Sequence, residues 1–139
     1  MIIMTDKKKI LLVDDEPDIT FGLRIGLEDN GFEVDAYNDP KLALSNFKPG
    51  SYDILLLDIR MPKMDGFELC QEIKKIDNKV KACFMTAFDE LYFQQFKIRF
   101  PMMDAGCFIR KPISINDLAA EINAKLSSAA TKKAEIGDA

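Results

Sequence analysis

Five short apolar runs, set apart by stretches whose apolar residues recur every three or four positions, leave this chain few ways to fold. The first run, Ile10-Leu11-Leu12-Val13, stops at Asp14-Asp15-Glu16, and a strand with no polar face is covered on both sides. Pro17 suits the first turn of a helix with Ile19, Leu23 and Gly26 or Leu27 inward, and Asn30-Gly31 stops it. Phe32 to Tyr37 alternates and reads as an edge strand. Asp39 caps a helix with Pro40 at its first position and Ala43, Leu44 and Phe47 inward, ending before Pro49-Gly50.

Tyr52 to Leu57 is the most apolar run, reads as the central strand and stops at Asp58. Beyond the loop Met61-Pro62-Lys63-Met64, Asp65 caps a helix carrying Gly66, Leu69, Ile73 and Ile76 at helical spacing. Val80 to Met85 is a fourth strand ending at Thr86, followed by an aromatic helix over 89–100 that Pro101 breaks. Cys107-Phe108-Ile109 is a short fifth strand leading to Lys111-Pro112. Ser114 caps a last helix lined by Ile115, Leu118, Ile122 and Leu126. From there the division is one domain over 7–128 and a short polar tail over 129–139 that reads as frayed.

Strands alternating with helices imply an α/β fold: a doubly wound, five-stranded parallel sheet with helices on both faces. The strand order 2-1-3-4-5 is expected, and ligands of such sheets bind at the carboxyl ends of the strands. Standing at those ends are Asp14 and Asp15, then Asp58, Thr86 and Lys111. Three carboxylates gathered there repel one another unless a cation sits among them. A hard divalent ion such as Mg²⁺ suits oxygen donors of this kind. An ammonium and a hydroxyl beside them complete the equipment for phosphoryl transfer to an aspartate.

Composition narrows the chemistry further. The chain of 139 residues has no histidine, which removes Ser-His-Asp and Cys-His catalysis and any histidine zinc site. A net charge of −4 gives no basic face for nucleic acid. No apolar run approaches the roughly 20 residues that span a bilayer, and the start carries no export signal, so no membrane insertion and a cytoplasmic location are expected. Cys70, Cys83 and Cys107 form no C-x-x-C pair and are expected as reduced thiols, Cys83 and Cys107 as small buried hydrophobes.

The sequence resembles the receiver domain of two-component response regulators, a flavodoxin-like fold. The resemblance rests on Leu12-Val13-Asp14-Asp15-Glu16-Pro17, Asp58-Ile59-Arg60-Met61-Pro62-Lys63-Met64-Asp65-Gly66, Met85-Thr86-Ala87 and Lys111-Pro112, in that order, and covers about residues 7 to 128. It implies that Asp58 is the phosphoacceptor, taking its phosphoryl group from a phosphohistidine on a sensor histidine kinase or phosphotransfer protein. It implies that Asp15, Asp58 and the Arg60 backbone carbonyl bind Mg²⁺, with Asp14 acting through a water. Lys111 would neutralise the phosphoryl group, Thr86 would hydrogen-bond to it, and Phe108 would be the aromatic switch residue that turns inward as Thr86 moves. Bulky Arg60 and Phe88 would shield the acyl phosphate from water.

No external metabolite is turned over in that picture. The chain would catalyse only its own phosphorylation and dephosphorylation. Since twelve residues after Ser127 cannot form an output domain, the expectation is a stand-alone receiver signalling to a separate protein. The output face would be the aromatic helix over 89–100, the fifth strand and the last helix, with dimerisation on activation. The crowding of Phe88, Tyr92, Phe93, Phe96 and Phe100 departs from the family pattern and reads either as deeper core or as a partner surface. The alternatives are the receiver part of a larger kinase or transcription factor and a Mg²⁺-dependent phosphatase with an aspartate nucleophile. The phosphatase would want a second Asp where Arg60 stands.

Overall fold

The apolar runs of the three middle strands pair because both of their faces are buried. The computed structural model describes residues 7–87, 94, 98 and 107–138. The strands are β1 (Lys9–Val13), β2 (Glu33–Tyr37), β3 (Ile54–Asp58), β4 (Lys81–Thr86) and β5 (Phe108–Arg110). They form one sheet in the order β2-β1-β3-β4-β5, every pair parallel, as the sequence led us to expect. The helices among the described residues are α1 (Pro17–Asp29), α2 (Pro40–Asn46), α3 (Gly66–Ile76) and α4 (Ile115–Asp138).

Residues alternate along β1, β3 and β4 between two cores. Leu11, Val13, Leu55, Leu57 and Phe84 pack with Ala43 of α2 and Phe67, Leu69 and Ile73 of α3. Ile10, Leu12, Ile54, Leu56, Cys83 and Met85 pack on the other face with Leu27 of α1 and Leu118 and Ile122 of α4. β3 is buried at all five positions, as a central strand requires.

The local signals act as read. Pro17 opens α1 and Gly31, at φ 94°, lies just beyond its end. The Asp39 carboxylate accepts from the Lys41 amide at 2.9 Å. Asp65 and Glu68 make a reciprocal capping box, with the Glu68 amide donating to Asp65 at 2.8 Å and the Asp65 amide to Glu68 at 3.0 Å. The Ser114 hydroxyl accepts from the Asp117 amide at 3.1 Å.

Three expectations are corrected or fall outside. Cys83 and Cys107 are not reduced thiols but a disulfide, because the β4–β5 register, carried one residue back from β5, sets them side by side with Cα atoms 4.6 Å apart. A separation of 24 residues gives the sequence no hint of that pairing. The tail expected to fray after Ser127 instead continues α4 to Asp138, and its Ala, Lys and Glu residues are strong helix formers. Of the helix predicted over 89–100, Gln94 and Ile98 are helical, and the remainder, with Phe88, Tyr92, Phe93, Phe96 and Phe100, lies outside the described residues.

Leu56 sits at the centre of β3, in register with Leu12 and Cys83 and fully buried. Leu56→Ala is expected to cost about 2–5 kcal/mol in urea unfolding with an unchanged denaturant slope. A loss well under 1 kcal/mol would contradict the close packing described.

Candidate functional site

The parallel register carries the ends of β1, β3, β4 and β5 to one edge of the sheet. Val13 stands beside Leu57, Asp58 beside Met85, and Thr86 beside Arg110. Asp14, the first residue past β1, is fully buried. Its backbone amide donates to Tyr37 at 3.1 Å, and its carboxylate accepts from the Glu16 amide at 3.0 Å. The Asn38 side-chain amide donates to the Asp14 carbonyl at 2.8 Å and to the Thr20 hydroxyl at 2.9 Å, which fixes this corner from β2 and α1.

Asp58 closes β3 and is nearly buried, and the chain after it is fastened on both sides. The Ile59 amide donates to Met85 at 3.0 Å, and the Gly66 amide donates to the Ile59 carbonyl at 2.9 Å. Ile59 and Met61 point into the core on the α2–α3 side. Gly66 lies so close that an added Cβ would overlap the Asp58 carbonyl oxygen, so a side chain there would displace the acidic residue's backbone.

Lys111 follows β5 and is joined to Pro112 by a cis peptide bond. Its backbone amide donates to the Thr86 carbonyl at 2.8 Å. Its ammonium sits 3.0 Å from Asp14 Oδ2 and 3.0 Å from Asp58 Oδ1. Asp15, Glu16, Asp58, Arg60, Thr86, Ala87 and Lys111 line a cavity of about 240 Å³. Carboxylate oxygens of Asp14, Asp15 and Asp58 all lie within 4.8 Å of one another. Hard oxygen donors at that spacing fit a divalent cation, so these three residues could hold one.

Burial, then the charge of Asp14, pushes the Asp58 carboxyl up from an ordinary 3.8 to about 6, although Lys111 pulls the other way. For Lys111 burial acts to lower the ammonium's pKa, but its hydrogen bonds to Asp14 and Asp58 outweigh that and the net shift is upward. Two carboxylates, Asp14 and Asp58, therefore compete for the Lys111 ammonium.

The structure thus brings together Asp14, Asp15, Asp58, Arg60, Thr86 and Lys111, all singled out from the sequence. Phe108 lies behind them, half-buried, with its ring centroid 5.4 Å from Phe84 and 6.3 Å from Phe67. From the sequence Asn38 had no role and Gly66 a place only in the helix and in the run from Asp58, since Asn before Asp-Pro and Gly after Asp are ordinary punctuation. Their contacts with Asp14 and Asp58 come from the fold.

The response regulator receiver domain family matches residues 10–123. The transcriptional regulatory protein RprY of Bacteroides fragilis is 33% identical over 96% of this chain and 55% of its own length. A probable transcriptional regulator, ycf27 of Guillardia theta, is 37% identical over 86% of this chain and 46% of its own. The chain spans about half the length of the curated relatives it matches. A CheY-like response regulator receiver domain from Methanospirillum hungatei superposes with a TM-score of 0.76 at 27% identity, covering 91% of this chain and 99% of that one. The response regulator TrrA of Thermotoga maritima, solved with Mg²⁺ and BeF, superposes with a TM-score of 0.71 at 31% identity, covering 86% and 98%.

The Asp58 carboxyl has a pH signature. Its folded value of about 6 lies above the ordinary 3.8, so the native state holds a proton that the unfolded state has lost. This group therefore removes stability as pH rises from about 4 through 6 in metal-free protein. Carbon-13 NMR of the carboxyl is expected to show a midpoint near 6 without metal and a lower one with Mg²⁺. A metal-free midpoint at the ordinary 3.8 would contradict the burial and repulsion described.

Proposed function

The chain belongs to the response regulator receiver family, and from that premise we propose that it is a phosphorylation-operated switch whose acceptor is Asp58. The observation that carries this reading is the Asp58 carboxylate held 3.0 Å from the Lys111 ammonium at the mouth of a cavity that Thr86 also lines. An Asp58 oxygen attacks phosphorus as the bond from phosphorus to the donor's imidazole nitrogen breaks, and the imidazole leaves. The donor is a sensor histidine kinase or a phosphotransfer protein. Lys111 exchanges its contact with Asp58 for one with the incoming phosphoryl oxygens and offsets their charge.

Asp15, Asp58 and the Arg60 backbone carbonyl are the ligands proposed for Mg²⁺, with Asp14 acting through a water. When bound, that ion would supply charge neutralisation at the phosphoryl oxygens. After transfer the Thr86 hydroxyl donates to a phosphoryl oxygen. Phe108, already against Phe84 and Phe67, turns into the space that Thr86 vacates. A downstream protein then reads the face that β5 and α4 present, and the same face is the proposed dimer contact. In this reading the chain turns over nothing but its own phosphoryl group, and among the described residues no helix is long and apolar enough to cross a membrane.

A second reading is the receiver part of a longer transcriptional regulator rather than a stand-alone switch. It is favoured by the names of the curated relatives and by coverage of 46–55% of RprY and ycf27. The size of the native polypeptide on a denaturing gel separates the two.

Intact-mass spectrometry after incubation with acetyl phosphate and Mg²⁺ tests the acceptor. A single phosphoryl adduct is expected, lost with EDTA and lost in Asp58→Ala. An adduct that survives in Asp58→Ala, or none on the wild type, would overturn the reading.

A further inference from the structure

The Cys83–Cys107 bridge joins the two strands that carry Thr86 and Lys111. Cys83 lies three residues before Thr86 on β4, and Cys107 lies four before Lys111, immediately ahead of β5. The register Phe84 to Phe108 makes the two cysteines the next cross-strand neighbours, and the Phe84 amide donates to the Cys107 carbonyl at 2.9 Å. The sulfurs lie on the α1–α4 face with Met85, Ile109 and Leu118. Phe84 and Phe108 point to the opposite face.

β5 is only three residues long and sits at the edge of the sheet. So short an edge strand is held by few ladder bonds and opens locally at little cost. The bridge is therefore one of the few ties, with the ring contacts of Phe108 and the Lys111 to Thr86 backbone bond, that fix Phe108 beside Phe84 and Lys111 beside Thr86. Local opening of this edge is also the route by which a thiol or disulfide reaches Cys107, which is 6% exposed, before Cys83, which is fully buried. The remaining cysteine does not interfere. Cys70 belongs to the core on the other side of the sheet, and burial pushes its thiol up to about 12, so it stays protonated and unreactive.

We propose that Cys83 and Cys107 are a reversible redox modification site, and that their state sets how firmly β5 presents Lys111 and hence how fast Asp58 is phosphorylated. The co-reactants are a small-molecule disulfide and a small-molecule dithiol. In oxidation the Cys107 thiolate attacks one sulfur of the disulfide RSSR and releases RS⁻. The Cys83 thiolate then attacks the mixed disulfide at the Cys107 sulfur and releases the second RS⁻. Two protein thiols and one RSSR thus become one protein disulfide and two RSH, the two protein protons ending on the two RSH. A dithiol runs the exchange backwards. The kinetic half of the proposal rests on the reading of Asp58 as acceptor.

The test uses the whole chain in two states, treated with oxidised glutathione or with dithiothreitol under native conditions. Alkylation in denaturant followed by intact mass is expected to find one reactive thiol after oxidation and three after reduction, of the three cysteines present. Acyl phosphate formation from acetyl phosphate and Mg²⁺ is expected to be several-fold faster in the disulfide form. The variant Cys83→Ser/Cys107→Ser, with Cys83→Ala/Cys107→Ala as a second version in case the hydroxyls disturb the core, is expected to match the reduced rate whatever reagent is added. Three thiols after oxidation, a bridge that dithiothreitol leaves closed in native protein, or equal rates in the two forms would overturn the proposal. If neither form takes a phosphoryl group, the acceptor reading fails, and amide hydrogen exchange judges the bridge separately. Faster exchange over 108–110 on reduction, with 54–58 unchanged, supports the pair as the clamp on β5, and equal exchange over 108–110 overturns it.

Discussion

Parallel pairing obliges this protein to collect its charges. Once β1, β3, β4 and β5 run the same way in register, Asp14, Asp15, Asp58 and Lys111 must share one edge of the sheet. Two like charges about 4 Å apart near a protein surface repel by about 4 kcal/mol. Carboxylate oxygens within 4.8 Å of one another therefore ionise together only if cations offset them. Lys111 contacts two of the three carboxylates, and burial first, then the charge of Asp14, still raises Asp58 to about 6 against its pull. A divalent cation is the species that would complete the balance, and in the proposed mechanism it would also offset the charge of the incoming phosphoryl oxygens.

The fold divides the site into a fixed floor and an adjustable wall. Asp14 is pinned by Asn38 and by the Glu16 amide, and Asp58 by the Gly66 approach and by Ile59 and Met61 in the core. Thr86 stands instead on the last residue of β4, Phe108 on a three-residue edge strand and Lys111 just past it, where less of the sheet holds them. The proposed switch would need this asymmetry, because Asp58 would keep its geometry while Thr86 and Phe108 change theirs. The disulfide sits at the root of the adjustable side, which is how its proposed opening would reach the site.

The sheet, its order and the residues at the strand ends were legible because each rests on a local signal: apolar runs of strand length, Pro at first helical turns, Asp and Ser at caps. Asp14, Asp15, Asp58, Thr86 and Lys111 could be placed without contacts, since parallel strands put all carboxyl ends on one edge. What the sequence withheld depends on pairs distant along the chain. Cys83 and Cys107 meet through strand register, Asn38 reaches Asp14 across 24 positions, and Gly66 is needed for a backbone approach that no pattern announces. The helix past Ser127 was missed for a different reason, as polar composition outweighed the helix propensity of its Ala, Lys and Glu residues.

The central claim is that Lys111 and a divalent cation compensate the same carboxylates. Calorimetric titration of Mg²⁺ into the wild type and into Lys111→Met tests it most directly. With its resident ammonium gone, the cluster of Asp14, Asp15 and Asp58 is left with a larger uncompensated charge, and Mg²⁺ is predicted to bind several-fold more tightly to the variant. Equal or weaker binding in Lys111→Met would mean that the ammonium and the cation do not share these carboxylates, and the electrostatic account of the site would fail.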